Sequence, residues 1–206
     1  MRSWQSVGRC ALVAVACMLA LQLFPGEIRG HEIKQTAVER RQVNIPIADF
    51  TLVDQNGKPF QFKTLRGKVV VAAFAYTTCP DVCPLITAAL RQVQSRLTKE
   101  ERTESHLLTV TTDPEIDSPK VLAAYAKRYG AELGGWSFLT GDDAALRLVW
   151  KSFGVGVERK ARGLVDHTPL TAIIDRQGVL RYAYIGPSPD VATLLGDVRS
   201  LMNERR

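Results

Sequence analysis

The sequence predicts an α/β fold, a central sheet flanked by helices, and three observations carry that expectation. Two continuous apolar runs, "KVVVAAFAY" at 68–76 and "HLLTVTTDP" at 106–114, suit strands buried on both faces. Each is followed by a segment of helical period, so strand and helix alternate along the chain. A hairpin pattern and a last helical pattern then close the layers.

The elements follow in order. "FTLVDQNGKPFQF", 50–62, sets Asn-Gly between two short apolar runs and predicts an N-terminal β-hairpin. After the first buried strand, Leu85, Ala88, Ala89, Val93 and Leu97 recur at helical spacing. "SPKVLAAYAKRYG", 118–130, opens on Ser118-Pro119 as cap and first turn and closes on Gly130. "WSFLTG" is a short strand, and "DDAALRLVWKSFG" a helix capped by Asp142 and ended by Gly154. "PLTAIID" and "GVLRYAYIG" form the closing hairpin, and "SPDVATLLGDVRSLM" the last helix.

The 206 residues suffice for one domain and an N-terminal extension, with 46% apolar and 23% charged residues, the balance of a globular core. In the extension, Arg2 and Arg9 precede the uncharged run "CALVAVACMLALQLF", 10–24, which Pro25 and Gly26 end. A positive start before an apolar core is the pattern of an export signal. Residues 1–30 therefore read as a signal peptide or an N-terminal membrane anchor, and either places the main domain outside the cytoplasm. Residues 31–46 show no period and read as a linker, and 47–206 as the domain. Removing residues 1–30, with three arginines and one glutamate, takes the net charge from +6 to +4. That mild excess does not argue for a nucleic-acid partner.

Export gives the cysteines meaning. Cys10 and Cys17 lie in the apolar start, which leaves Cys79 and Cys83, in "YTTCPDVCP", alone in an oxidising compartment. Pro84 fits a first helical position, making Cys83 the cap residue, and each proline keeps the cysteine before it out of the α region. The thiols thus fall on a pinned loop at a helix start, where the helix-end potential favours thiolate. Such a pair can form a structural disulfide, exchange disulfides or hold a soft metal; a disulfide closing so short a loop would constrain the unfolded chain little. Of three histidines, His31 lies in the linker, His106 opens a strand in a structural or exposed role, and His167 precedes the closing hairpin beside Pro169.

Together "FTLVDQNGKPF", "GKVVVAAFAYTTCPDVCP", "LLTVTTDPEIDSPKVLAAY" and "VDHTPLTAIIDRQG" resemble the Sco/SenC family, from about Ile47 to the last helix. The resemblance implies a thioredoxin-like fold and a copper-binding factor for cytochrome c oxidase assembly. It implies Cys79, Cys83 and His167 as copper ligands, and the copper-containing oxidase subunit or another acceptor as partner. It further implies an inner-membrane anchor with the domain facing the periplasm, or a soluble periplasmic domain after cleavage.

Two thiolates and an imidazole suit copper(I); zinc takes the same donors but prefers a fourth. The leading expectation is a metallochaperone without turnover. The alternative is a thiol-disulfide oxidoreductase that uses Cys79 and Cys83 to keep an acceptor's cysteines reduced; a copper sensor and a peroxidase rank below. Asp166 is a candidate to orient His167, and Asp81 and Asp113 read as turn residues. Arg159, Lys160 and Arg162 read as a solvated turn or as a guide for an acidic acceptor or membrane surface. "AAFAYTTC" departs from the family's bulkier run, and Pro169 stands where thioredoxin-like redox proteins set a proline facing their cysteines. That placement favours a cis Thr168-Pro169 bond, which costs only about 0.5–1 kcal/mol.

Overall fold

A computed structural model describes residues 37–204; the proposed signal or anchor lies outside the described residues, as does His31. An eight-stranded sheet is built from β1 (Glu39–Pro46), β2 (Thr51–Asp54), β3 (Pro59–Gln61), β4 (Val69–Ala75), β5 (Ser105–Thr111), β6 (Trp136–Thr140), β9 (Leu170–Ile174) and β10 (Val179–Ile185). A separate two-stranded sheet pairs β7 (Val157–Arg159) with β8 (Val165–His167). The helices are α1 (Val82–Arg96), α2 (Lys99–Glu104), α3 (Pro119–Arg128), α4 (Asp143–Phe153) and α5 (Val191–Asn203).

The large sheet runs β1-β10-β9-β4-β5-β6-β2-β3. Strands β4, β5 and β6 are parallel, with β9 antiparallel to β4. All seven residues of β4 are buried, as its uninterrupted apolar run requires. Val70, Ala72 and Phe74 face one core, with Leu146, Val149 and Phe153 of α4. Val69, Val71 and Ala73 face the other, with Ile86, Leu90 and Val93 of α1. Side chains of the two helices thus bracket the strand that ends at the cysteine loop. Each large side chain buried here contributes about 1.5–3 kcal/mol. Phe74 meets Phe153 edge-on at 5.1 Å, and Trp150 Nε1 donates to the Thr111 carbonyl at 3.0 Å, so the indole is buried without an orphan donor.

The caps explain the helix limits. Ser118 and Asp142 accept from the N–H groups of Val121 and Ala145, and Pro119 fills the first position of α3. Gly154 ends α4 at φ +70°, a left-handed turn that disfavours other residues. In the N-terminal hairpin, Asp54 Oδ1 accepts from the N–H groups of Asn56 and Lys58 while Gly57 takes φ +75°.

Three expectations change. Residues 39–46, read as linker, form the edge strand β1 along β10. Nearly all of β1 is exposed, so it carries no alternating apolar face to reveal it. Helix α1 begins at Val82 rather than Pro84, which places Cys83 inside the first turn and not at the cap. Proline is tolerated there because the first four helical N–H groups lack intrahelical acceptors. The segment 157–167 folds as the β7–β8 hairpin, so His167 stands on a strand and not on a free loop.

Candidate metal centre

Below Ala75 the chain leaves the sheet through buried Tyr76 and turns, Cys79 N–H donating to the Tyr76 carbonyl at 3.3 Å. The turn is tied from beneath by Asp117, which is fully buried. Its carboxylate accepts from Thr77 N–H at 3.1 Å, from the Thr77 hydroxyl, and from the Thr111 hydroxyl at 2.6 Å. Burial pushes the Asp117 carboxyl above its ordinary range, against those donors.

At the start of α1 the Asp81 side chain makes no capping bond. Cys79, two residues before that cap, lies where the backbone at Asp81 and Cys83 favours its thiolate. Cys79 is partly exposed and Cys83 wholly buried, and both are free thiols. A hydrogen bond from the Cys83 thiol, with those backbone donors and the Tyr76 hydroxyl, lowers Cys79 to about 5 against the opposing cost of burial. The same bond and burial push Cys83 far above the ordinary thiol range. At neutral pH the reduced pair is therefore one accessible thiolate beside one protected thiol, an asymmetry suited to thiol exchange.

His167, from β8, brings its Nε2 to 3.6 Å from Cys83 Sγ. Its Nδ1 lies 3.1 Å from the Thr168 carbonyl oxygen. Nδ1–H donates to that oxygen, which leaves the Nε2 lone pair facing the sulfur. Burial lowers the imidazole's proton affinity and keeps it neutral, as a ligand must be. The ring stands edge-on to Tyr76 at 5.9 Å, and the Tyr76 hydroxyl accepts from Val165 N–H at 3.4 Å, joining the cysteine turn to the histidine hairpin.

The spacing fits a shared ion. Sulfur and nitrogen bound at about 2.3 and 2.0 Å, at tetrahedral to trigonal angles, stand roughly 3.5–3.7 Å apart. Among the described residues no three His, Cys, Asp or Glu side chains form a preassembled metal cage. The site is a contacting pair, Cys83 and His167, with Cys79 packed beside Cys83. It opens into a cleft of about 480 Å³ that Cys79, His167, Leu164 and Pro169 line.

Other candidates sort differently. His106 is buried and structural, its Nε2 2.9 Å from Ser137 Oγ. Asp166 is exposed, and the Thr168 carbonyl rather than this carboxylate holds the imidazole. Asp113 opens a turn as expected, its carbonyl accepting from Ile116 and Asp117 N–H, but its side chain is fully buried and pairs with Arg159, which also lies 3.3 Å from Glu115. Lys160 pairs with Glu158, so two charges of the expected basic guide are already matched; the Arg162 side chain lies outside the described residues.

The expected cis bond is absent: Thr168-Pro169 is trans. Thr168 N–H bonds the Gly156 carbonyl and Gly186 N–H bonds the Pro169 carbonyl, so the chain runs straight from β8 into β9. Sequence reasoning missed Tyr76 and Asp117. Asp117 stands in the quoted "DPEID" stretch, but nothing local marks it, because its donors come from Thr77 and Thr111.

The sheet, the cysteine turn at the helix start and the facing histidine define a thioredoxin-like domain with a thiol–imidazole site. The SCO1/SenC family profile matches residues 38–203, and the chain belongs to that family. It is 35% identical over 99 residues to the SCO1 protein homolog of Bacillus subtilis, covering 48% of this chain and 51% of that one. It thus spans about half the length of that relative. BsSco, whose structure is described as showing a disulfide switch in a member of the Sco family of cytochrome c oxidase assembly proteins, superposes at TM-score 0.68. That likeness is at 28% identity over 80% of this chain and 98% of the other. Yeast Sco1 with copper bound matches at TM-score 0.66 and 25% identity, over 79% of this chain and 91% of that one.

Proposed function

We propose that this protein is a copper carrier in which Cys79, Cys83 and His167 hold the ion and pass it to an acceptor, the copper-containing subunit of cytochrome c oxidase during its assembly. The observation that carries this reading is the Cys83–His167 contact of 3.6 Å, with Nδ1 tied to Thr168 and Nε2 left free. Two sulfurs and one imidazole suit copper(I), and an open coordination position lets an acceptor's ligand join before the donor lets go. The family membership, with relatives described as copper-bound and as oxidase assembly proteins, supports the same cargo and partner.

Anaerobic titration of the reduced protein with copper(I), followed by mixing with apo-acceptor, tests the proposal. One equivalent retained and then transferred supports it; no retained copper overturns it.

A second reading rests on the asymmetry of the dithiol. The Cys79 thiolate attacks an acceptor disulfide, one acceptor sulfur leaves as thiolate, and Cys83 then loses its proton and displaces the other. This leaves Cys79–Cys83 oxidised and the acceptor reduced. Stoichiometric reduction of an oxidised acceptor without copper is its test.

The N-terminal run is proposed to anchor the domain at the inner membrane, facing the periplasm. Among the described residues no helix is long and apolar enough to cross a membrane, and residues 10–24 lie outside them. Carbonate extraction of membranes carrying the full chain tests it: retention supports an anchor, and complete release supports a cleaved, soluble form.

A further inference from the structure

We infer that the turn after β5 positions His167, and that Arg159 acts on the metal centre through Asp113 without touching it. This rests on the reading of His167 as a copper ligand. The β7–β8 hairpin that carries His167 shares no ladder with the eight-stranded sheet. Beyond its continuity with β9 through Thr168 and Pro169, its position over the cysteines is set by side-chain ties. Val157 and Val165 pack with Tyr76 and Cys83, an apolar contact that permits sliding. The Tyr76 hydroxyl meets Val165 N–H only at 3.4 Å.

The directional tie is Arg159. Its guanidinium Nη2 donates to Oδ1 of Asp113, whose side chain is 0% exposed, and lies 3.3 Å from Glu115. Asp113 Oδ2 is buried without a partner, so the arginine is the group that matches the buried charge. In the hairpin register Arg159 faces Val165 while Val157 faces His167. The ion pair thus sits two residues, about 7 Å, along the strand from the ligand.

The same turn holds the other half of the site. Asp117 N–H bonds the Asp113 carbonyl at 2.9 Å, which fixes the two buried carboxylates on one compact turn. Asp117 ties Thr77 at the base of the cysteine turn, and Asp113 ties the histidine hairpin. One five-residue segment therefore spaces the sulfurs from the imidazole. A rotation of the hairpin that opened the 3.6 Å contact would have to break the pairing of a buried carboxylate.

A double-mutant cycle on copper(I) affinity, read by chelator competition on the full chain, tests this. Arg159→Met should weaken binding about tenfold, the scale on which partners of metal ligands act. In a His167→Ala background the same substitution should change affinity by less than about twofold, since there is no ligand left to position. Arg159→Met with Asp113→Asn leaves no unpaired buried charge, so it keeps the fold and should show the same tenfold loss. The pH profile of Cys79 alkylation should not move in either variant, because Asp117 still holds that turn. Equal losses with and without His167, or no loss in either, would overturn the inference while leaving the ligand reading intact. Equal affinity of wild type and His167→Ala would overturn the ligand reading and the inference together.

Discussion

Cys83 Sγ lies 3.6 Å from His167 Nε2 although 84 residues separate them in the chain. The contact joins the first turn of α1 to the strand β8, and Thr168 aims the ring by accepting its Nδ1–H.

His167→Ala should lower copper(I) affinity by at least about tenfold, since removing a ligand costs no less than disturbing its support. The fold should persist, because β8 is a short strand at the edge of the site and the two large cores do not include His167. Chelator competition measures the first effect and thermal unfolding of the copper-free protein the second. Unchanged affinity would remove His167 from the site.

Proton release on binding should follow the two sulfurs. At pH 7 Cys79 is already thiolate, Cys83 is a thiol and His167 is neutral, so loading should release about one proton per ion. Below about pH 5 Cys79 is protonated too, and the count should rise above one. Titration calorimetry in buffers of different ionisation enthalpy measures the count. A pH-independent value of two between pH 4 and 8 would contradict the assigned thiolate.

Asp117→Ala should cost about 2–4 kcal/mol, since it strands the half-buried Thr77 N–H and the buried Thr111 hydroxyl. It should also loosen the turn whose N–H groups and thiol stabilise the Cys79 thiolate, moving the half-rate of alkylation upward from about pH 5. Urea unfolding and alkylation rates report the two effects. Loss of stability with an unmoved profile would separate Asp117 from the dithiol.

His106 gives the fold its own pH dependence. Burial lowers the imidazole from 6.5 to about 4, so between those values the unfolded chain binds a proton that the folded one refuses. Its contribution is full above pH 6.5 and is lost as pH falls through about 4, in all about 3 kcal/mol. His106→Gln should flatten that part of the stability curve, measured against wild type from pH 7 to 4. An identical slope in the variant would contradict the assignment.

The elements legible from sequence were those whose burial is written in local pattern. The run 68–76 became β4, all of it buried, and Ser118-Pro119 and Asp142 capped the helices expected of them. Strand β1 was not legible, because an exposed edge strand is fixed by pairing with β10 and not by an apolar face. Helix α2 has no buried residue, though Thr98 and Glu101 form a capping box that announces it. At the site, Cys79, Cys83 and His167 stood out by type and setting; the structure sets Cys83 against His167 and lines the same cleft with Cys79. Tyr76 and Asp117 did not stand out and Asp113 read only as a turn residue, since their ties at the site come from partners 40 to 89 residues away.

One copper ion held by two sulfurs and one imidazole has a direct signature in X-ray absorption at the copper edge. Copper(I)-loaded wild-type protein should show two sulfur scatterers and one nitrogen with the outer-shell pattern of an imidazole ring. His167→Ala should lose the nitrogen and keep both sulfurs. A wild-type spectrum without imidazole scattering, or spectra identical in the two proteins, would contradict the account.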